Sequence, residues 1–226
     1  VIQKFPKDAH PMDSLRTGVS FLGMEDQRIW DDSFDTNMDK YINMLAKIPT
    51  IIAATFRHKE GKKFIAPKNN LTFSENFFHM CFDKIPEKEI VKAFDVSLIL
   101  YAEHSFNAST FTSRVITSTN SDIYSAVCGG IGALKGPLHG GANEQVMYML
   151  KEIGEVNNAK DWMLDALANK KKIMGFGHRV YKFGDSRVLT MTKYAEKMAS
   201  FTCGEKWIQI SNILKDTMIE EKNIYP

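Results

Sequence analysis

The chain has 226 residues, 44% hydrophobic and 25% charged, with a net charge of +2. That is enough sequence to bury a core in one or two domains, and its balanced charge excludes the strong field of a nucleic-acid or polyacid binder. No apolar run reaches membrane-spanning length.

In chain order the pattern is helical nearly throughout, because strict apolar/polar alternation is scarce. Pro11-Met-Asp-Ser opens a first helix through Val19 and Leu22. Residues 35–58 carry Met38, Tyr41, Ile42, Leu45 and Ile48 at helical spacing, and Pro49 is expected to kink or divide that helix. A basic, polar loop spans 61–70, and a second break falls near Lys84-Ile-Pro86. Residues 87–101 are apolar on most faces, which predicts a deeply buried helix.

Two more helices follow over 108–119 and 121–135, the second containing Cys128-Gly-Gly-Ile-Gly-Ala133. Each helical glycine costs about 1 kcal/mol against alanine, so close helix packing is expected there. Helices over 142–153, 160–170, 186–199 and 206–221 complete the series, and Lys170-Lys-Lys172 reads as a solvated helix end. A domain boundary is placed at 135/136, where buried helix gives way to a glycine-rich loop. Cys81, Cys128 and Cys203 are odd in number, far apart and read as reduced thiols. Val1-Ile-Gln-Lys-Phe-Pro carries no targeting pattern, the sequence stops at Pro226, and both ends read as cut.

Three histidines sit in dense motifs. His139 lies in Gly136-Pro-Leu-His-Gly-Gly-Ala-Asn143, a turn leading into a helix. Exposed N–H groups at a helix start disfavour a protonated imidazole, so His139 is expected to be neutral and to donate a hydrogen bond, which suits an enol or enolate oxygen. A helix-capping turn with an incidental histidine is the plainer reading. His178 lies in Gly175-Phe-Gly-His-Arg-Val-Tyr-Lys182, with Arg187 close behind. His178 is a candidate proton donor, and arginine binds carboxylates bidentately. A basic surface loop would carry the same residues. His104, in Glu103-His-Ser-Phe-Asn107, ends the buried helix, where a satisfied core histidine is the competing reading. The spacings match neither a zinc site nor a nucleotide-binding glycine fingerprint, so no metal is assigned.

Together these segments resemble the citrate synthase family, and His10-Pro-Met-Asp-Ser-Leu-Arg-Thr-Gly-Val19 is similar to its upstream helix. Glu103-His-Ser-Phe-Asn-Ala-Ser-Thr-Phe-Thr-Ser-Arg-Val115 looks closest to the 2-methylcitrate synthase branch. The resemblance implies an all-α fold with a large domain (1–135) and a small one (136–226), a homodimer, and no bound cofactor. It implies condensation of propionyl-CoA or acetyl-CoA with oxaloacetate to 2-methylcitrate or citrate plus CoA, with no nucleic-acid or membrane partner. These are reactions of propionate metabolism and the tricarboxylic acid cycle, in bacterial cytoplasm or mitochondrial matrix.

By position, His139 would polarise the thioester carbonyl, and His178 would bind and protonate the oxaloacetate carbonyl. His104 and Arg187 would hold oxaloacetate. Ile173, Met174, Gly175, Phe176 and Gly177 would contact the adenine end of CoA, and Lys182 a CoA phosphate. The family's Asp-Pro-Arg is here Asp185-Ser186-Arg187. The aspartate that removes the α-proton lies, in the family, in an Asn-x-Asp after a Tyr-Pro like Tyr225-Pro226. Housekeeping citrate synthase, an inactive binding or scaffold protein, and a CoA- or dicarboxylate-binding regulator are the alternatives.

Overall fold

The computed structural model describes residues 1–177 and 184–226. Among the described residues there are ten α-helices and no strands: α1 Pro11–Glu25, α2 Phe34–Lys59, α3 Phe73–Phe82, α4 Lys88–Tyr101, α5 Ala108–Thr117, α6 Ile123–Leu134, α7 Ala142–Ile153, α8 Ala159–Ala168, α9 Arg187–Thr202 and α10 Glu205–Lys222. None of them is long and apolar enough to cross a membrane. The chain divides into two compact units, Val1–His139 and Gly140–Pro226.

In the first unit, helix starts are fixed by side chains that satisfy first-turn N–H groups. His10 Nδ1 accepts from Met12 N–H at 3.1 Å, and Asp122 accepts from Ser125 N–H at 2.9 Å. Thr72 and Glu75 form a reciprocal capping box that opens α3. The sequence reading assigned no helix there, although Thr72-x-x-Glu75 ahead of an aromatic run is its signature.

Pro49 does not divide α2, which runs unbroken past it. The helix is held on both sides of the proline. Met44 packs with Val19, Tyr124 and Ile131, while Ala53 packs with Met80 and Cys81. Burial on both flanks offsets the roughly 3 kcal/mol that an interior proline costs. The turn leading into α2 is tied down by Lys40, which is 1% exposed. Its ammonium donates to the carbonyls of Ile29 at 3.0 Å and Asp31 at 2.7 Å.

Helix α4 corrects a second expectation. None of its residues is buried. Phe94 stacks on Phe77 of α3 with ring centroids 5.1 Å apart, yet Ile99 is 69% exposed and Leu98 and Tyr101 are exposed too. Apolar residues on most faces signal surface that some partner should cover, and among the described residues no side chain of this helix is fully buried.

The glycines of α6 do meet close neighbours. A Cβ on Gly129 would stand 2.1 Å from Ile116 Cδ1, and one on Gly130 would stand 2.8 Å from Ser113 Oγ. That hydroxyl is itself fixed, donating to Ala126 O at 3.0 Å. Helix α5 therefore lies directly against the α6 backbone.

In the second unit, α7, α8 and α10 enclose a core of Met149, Leu150, Ile153, Ala159, Met163, Ala166, Ile173, Ile210, Leu214 and Met218. Helix α9 contributes only Ala199 to the buried residues.

The contrast between two glycines of one helix is testable. Gly130→Val overpacks the α5–α6 seam and should cost about 1–3 kcal/mol. Gly132 has only Arg16 Nη1 at 3.7 Å facing its missing Cβ, so Gly132→Ala should gain about 1 kcal/mol from helix propensity. Urea unfolding followed by circular dichroism should move the two midpoints in opposite directions. A common direction would contradict the packing described.

Candidate functional site

His104 and His139 both belong to the first unit, and the fold brings them together. Helix α4 ends at Tyr101, so His104 lies in the irregular segment beyond it rather than on the helix. There Ser105 adopts a left-handed backbone with φ 55°, and Ser105 N–H donates to the Glu103 carboxylate. Asn107 then starts α5, its side-chain oxygen accepting from Thr110 N–H at 2.9 Å.

The α6–α7 loop carries His139 to this helix start. Ser109 N–H donates to His139 Nε2 at 3.3 Å. A backbone N–H can only donate, so this contact selects the neutral tautomer whose proton sits on Nδ1. The Ser109 hydroxyl lies 3.0 Å from the same nitrogen and 2.7 Å from Asn107 Oδ1. It carries one rotatable proton and serves either acceptor.

Burial, and secondarily the charge of nearby His104, push the His139 pKa below its ordinary 6.5. The expected neutrality thus has a different origin. Expectation rested on the start of the following helix, whereas the donor that meets the ring is a first-turn N–H of α5, at that helix's positive end. Ser109 and Asn107 were not assigned as site residues. The Asn107-x-x-Thr110 cap pattern was the available signal.

Arg187 is the first residue of α9 in the second unit. Its guanidinium grips Asp185, with Nη2 2.6 Å from Oδ2 and Nε 3.0 Å from the same oxygen, and its backbone N–H donates to Asp185 Oδ1 at 2.9 Å. Two of its three nitrogens therefore already face a carboxylate of this chain. Ser186, where the family has proline, keeps φ at −56°, a value proline itself would impose.

The segment 173–177 leaves α8 as a loop with positive φ at Gly175 (91°) and Gly177 (74°), conformations that favour glycine. Ile173 is only 8% exposed and borders a small pocket that Gly177 also lines. It packs in the core of the second unit. Met174, Gly175 and Phe176 line a cleft of about 770 Å³ together with Asp185, Leu189 and Tyr225. Tyr225 O accepts from Gly177 N–H at 3.5 Å. Phe176 and Gly177 also border a smaller pocket. His178 and Lys182 lie outside the described residues. Among the described residues, no cluster of three or more His, Cys, Asp or Glu side chains could hold a metal ion.

The whole chain, residues 1–226, matches the model of the citrate synthase C-terminal domain. It is 50% identical to the 2-methylcitrate synthase of Mycobacterium tuberculosis, covering 100% of this chain and 57% of that protein. It is 49% identical to the citrate synthase of Mycolicibacterium smegmatis, of which it covers 60%. Among solved structures, the ternary complex of carboxymethyl coenzyme A and oxaloacetate with citrate synthase from Thermoplasma acidophilum has a TM-score of 0.93 at 33% identity, over 100% of this chain and 60% of that one. The chain thus spans about three fifths of the length of the relatives quoted.

The state of His139 can be read directly. A folded-state pKa lowered from 6.5 means that the unfolded chain takes up this proton first. Its contribution to stability is complete above pH 6.5 and is lost as pH falls through the folded value. Nitrogen-15 NMR should find the proton on Nδ1 and the titration below that of a free histidine. His104→Gln should raise the His139 pKa only part of the way back, since burial is the larger cause. A ring that titrates normally, or carries its proton on Nε2, would contradict the assignment.

Proposed function

The chain belongs to the citrate synthase family, and we propose that the protein condenses an acyl-CoA, propionyl or acetyl, with oxaloacetate and releases CoA. The observation that carries this reading is the contact of His139 Nε2 with Ser109 N–H at 3.3 Å, which puts the proton of the neutral ring on Nδ1 and makes that nitrogen the donor offered to a substrate oxygen. A neutral donor stabilises an enol without having to surrender a full proton.

In the proposed sequence, His139 Nδ1–H binds the thioester carbonyl oxygen while a base removes the α-proton. The α-carbon of the enol attacks the ketone carbon of oxaloacetate. The carbon–carbon bond forms as the ketone oxygen takes a proton from His178. Water then attacks the thioester, and CoA departs as the free thiol. His104 and Arg187 hold the oxaloacetate carboxylates, and Arg187 does so by exchanging or sharing its grip on Asp185. The family's α-proton base follows a Tyr-Pro like Tyr225-Pro226, and the proposal gives that role to no residue of 1–226. Ile173, Met174, Gly175, Phe176 and Gly177 are assigned to the adenine end of CoA, and Lys182 to a phosphate.

The relatives carry both names, 2-methylcitrate synthase and citrate synthase. One methylene in an apolar pocket discriminates by only about 1–3 kcal/mol, so turnover of both thioesters is part of the proposal. We also assign a homodimer. Leu98, Ile99 and Tyr101 of α4 and Phe111 and Val115 of α5 are exposed, an apolar surface of the kind that subunit contacts cover.

Oxaloacetate-dependent thiol release, measured on the longest native form of the protein with acetyl-CoA and propionyl-CoA side by side, tests the reading. Both thioesters should react, and His139→Ala should slow release about 10²–10³-fold. A folded protein that releases no thiol from either would be a binding protein instead. For the assembly, sedimentation should give a dimer that Ile99→Asp with Phe111→Asp converts to monomer. A wild-type monomer would remove the dimer from the proposal.

A further inference from the structure

The turn that carries His139 is tethered at both ends. Lys135 closes α6, its N–H donating to Ile131 O at 3.0 Å. Gly136 N–H then donates to Ala133 O at 3.1 Å, and His139 N–H to Gly136 O at 2.9 Å. Between the ends, Gly136 and Pro137 bring no hydrogen-bonding side chain, and Leu138 is 77% exposed. The tethers are the side chains of Lys135, with Nζ 2.6 Å from Asp13 Oδ2, and of His139, with Nε2 3.3 Å from the Ser109 N–H nitrogen.

Asp13 is a firm anchor. It lies in the first turn of α1, where its N–H donates to His10 O at 2.9 Å and its Oδ1 is 3.1 Å from Arg16 Nη2. Helix α1 packs along α6. Val19 meets Tyr124 and Ile131 in one core, a Cβ on Gly23 would stand 3.0 Å from Tyr124 Cβ, and Cys128 Sγ–H donates to Arg16 O at 3.4 Å. The two helices are antiparallel, because Gly23 near the end of α1 meets Tyr124 at the start of α6 while Asp13 meets Lys135. The carboxylate therefore sits at the positive end of one helix dipole and the ammonium at the negative end of the other, which favours both charges where they are. The hydrogen bond from Lys135 is the largest influence on the Asp13 carboxyl and holds it below its ordinary pKa.

The two side chains are 36% and 34% exposed, and a pair this open adds little to global stability. Its effect is on position. We infer that the Asp13–Lys135 ion pair positions His139, pinning the start of its turn to α1 so that Nε2 stays on Ser109 N–H and Nδ1 keeps the proton. Asp13 and Lys135 are positioning residues, acting through the ring rather than on substrate. The consequence for turnover rests on the acyl-CoA reading above, whereas the consequence for the ring does not.

The test uses Asp13→Ala, Lys135→Met, the double variant and the conservative Lys135→Arg in the longest native form of the protein. Lys135→Met keeps most of the chain length and removes the charge, so it carries the test even if Asp13→Ala folds poorly. Nitrogen-15 NMR of His139 should show the tautomer with its proton on Nε2 appearing in the Ala and Met variants at wild-type helicity. The kcat of thiol release should fall about tenfold with KM for the acyl-CoA nearly unchanged. The double variant should lose no more than either single one, because the same link is broken in all three, and Lys135→Arg should keep most of the activity. Unchanged ring signals in folded Lys135→Met overturn the inference and leave the acyl-CoA reading intact. Losses that add in the double variant overturn it too, since the two side chains would then act separately. A wild-type protein that releases no thiol overturns the acyl-CoA reading, and the ring tautomer still decides the positioning role.

Discussion

The closeness of α5 to α6 is the constraint on which the first unit's chemistry rests. With Gly129 and Gly130 on the contact face, no Cβ holds the two helices apart. Ser113 of α5 can then bond Ala126 O of α6, and the start of α5 comes within reach of the loop that follows α6. Ser109 N–H would otherwise be one of the orphan donors of a helix start. Here it meets His139 Nε2. A packing detail in the middle of two helices thus decides which nitrogen of an imidazole carries the proton at their end. Close packing transmits this kind of demand because the interior has little slack.

The sequence was most legible where local chemistry and periodicity agree. Nine of the ten helices among the described residues, and the absence of strands there, are what the spacing of apolar positions and the scarcity of alternation imply. The glycines of α6 were legible for the same reason, since their helix cost demands a packing reason. Three things were not legible. Pro49 was read by its local rule, but α2 is clamped by Met44 on one side of the proline and Ala53 on the other. Burial of α4 was read from composition, which tells how much apolar surface there is and not what lies against it. Helix α3 was missed because its brief, aromatic-rich stretch shows little period, although its capping box was written out in Thr72 and Glu75.

The candidate site divides along the same line. His104 and His139 could be singled out from their motifs, and the fold places both at the start of α5. The partner that orients His139 could not, because a backbone N–H has no side-chain letter. Arg187 could be proposed for carboxylate binding from its residue type, yet the grip of Asp185 on its Nε and Nη2 depends on the turn between them. That turn survives serine in place of the family's proline, since φ at Ser186 is −56° and the Asp185 carboxylate itself bonds the Arg187 N–H. Rigidity that a ring would supply covalently is supplied by a hydrogen bond.

The Asp185–Arg187 contact bears on how an anionic substrate would be selected. A guanidinium that already faces a carboxylate pays little reorganisation energy to face another, because its fork is held in the bidentate geometry in advance. The same contact sets a threshold. A ligand must offer two oxygens in that geometry to compete with a neighbour two residues away. A dicarboxylate such as oxaloacetate meets that demand, and a lone ketone or thioester does not. His139 imposes the complementary condition in the other unit, since a neutral N–H suits a carbonyl oxygen that is gaining charge and has no particular preference for a carboxylate already in full charge. On the proposed condensation, the guanidinium would favour a carboxylate and the neutral N–H a carbonyl oxygen gaining charge, so each unit taken by itself would discriminate by charge state.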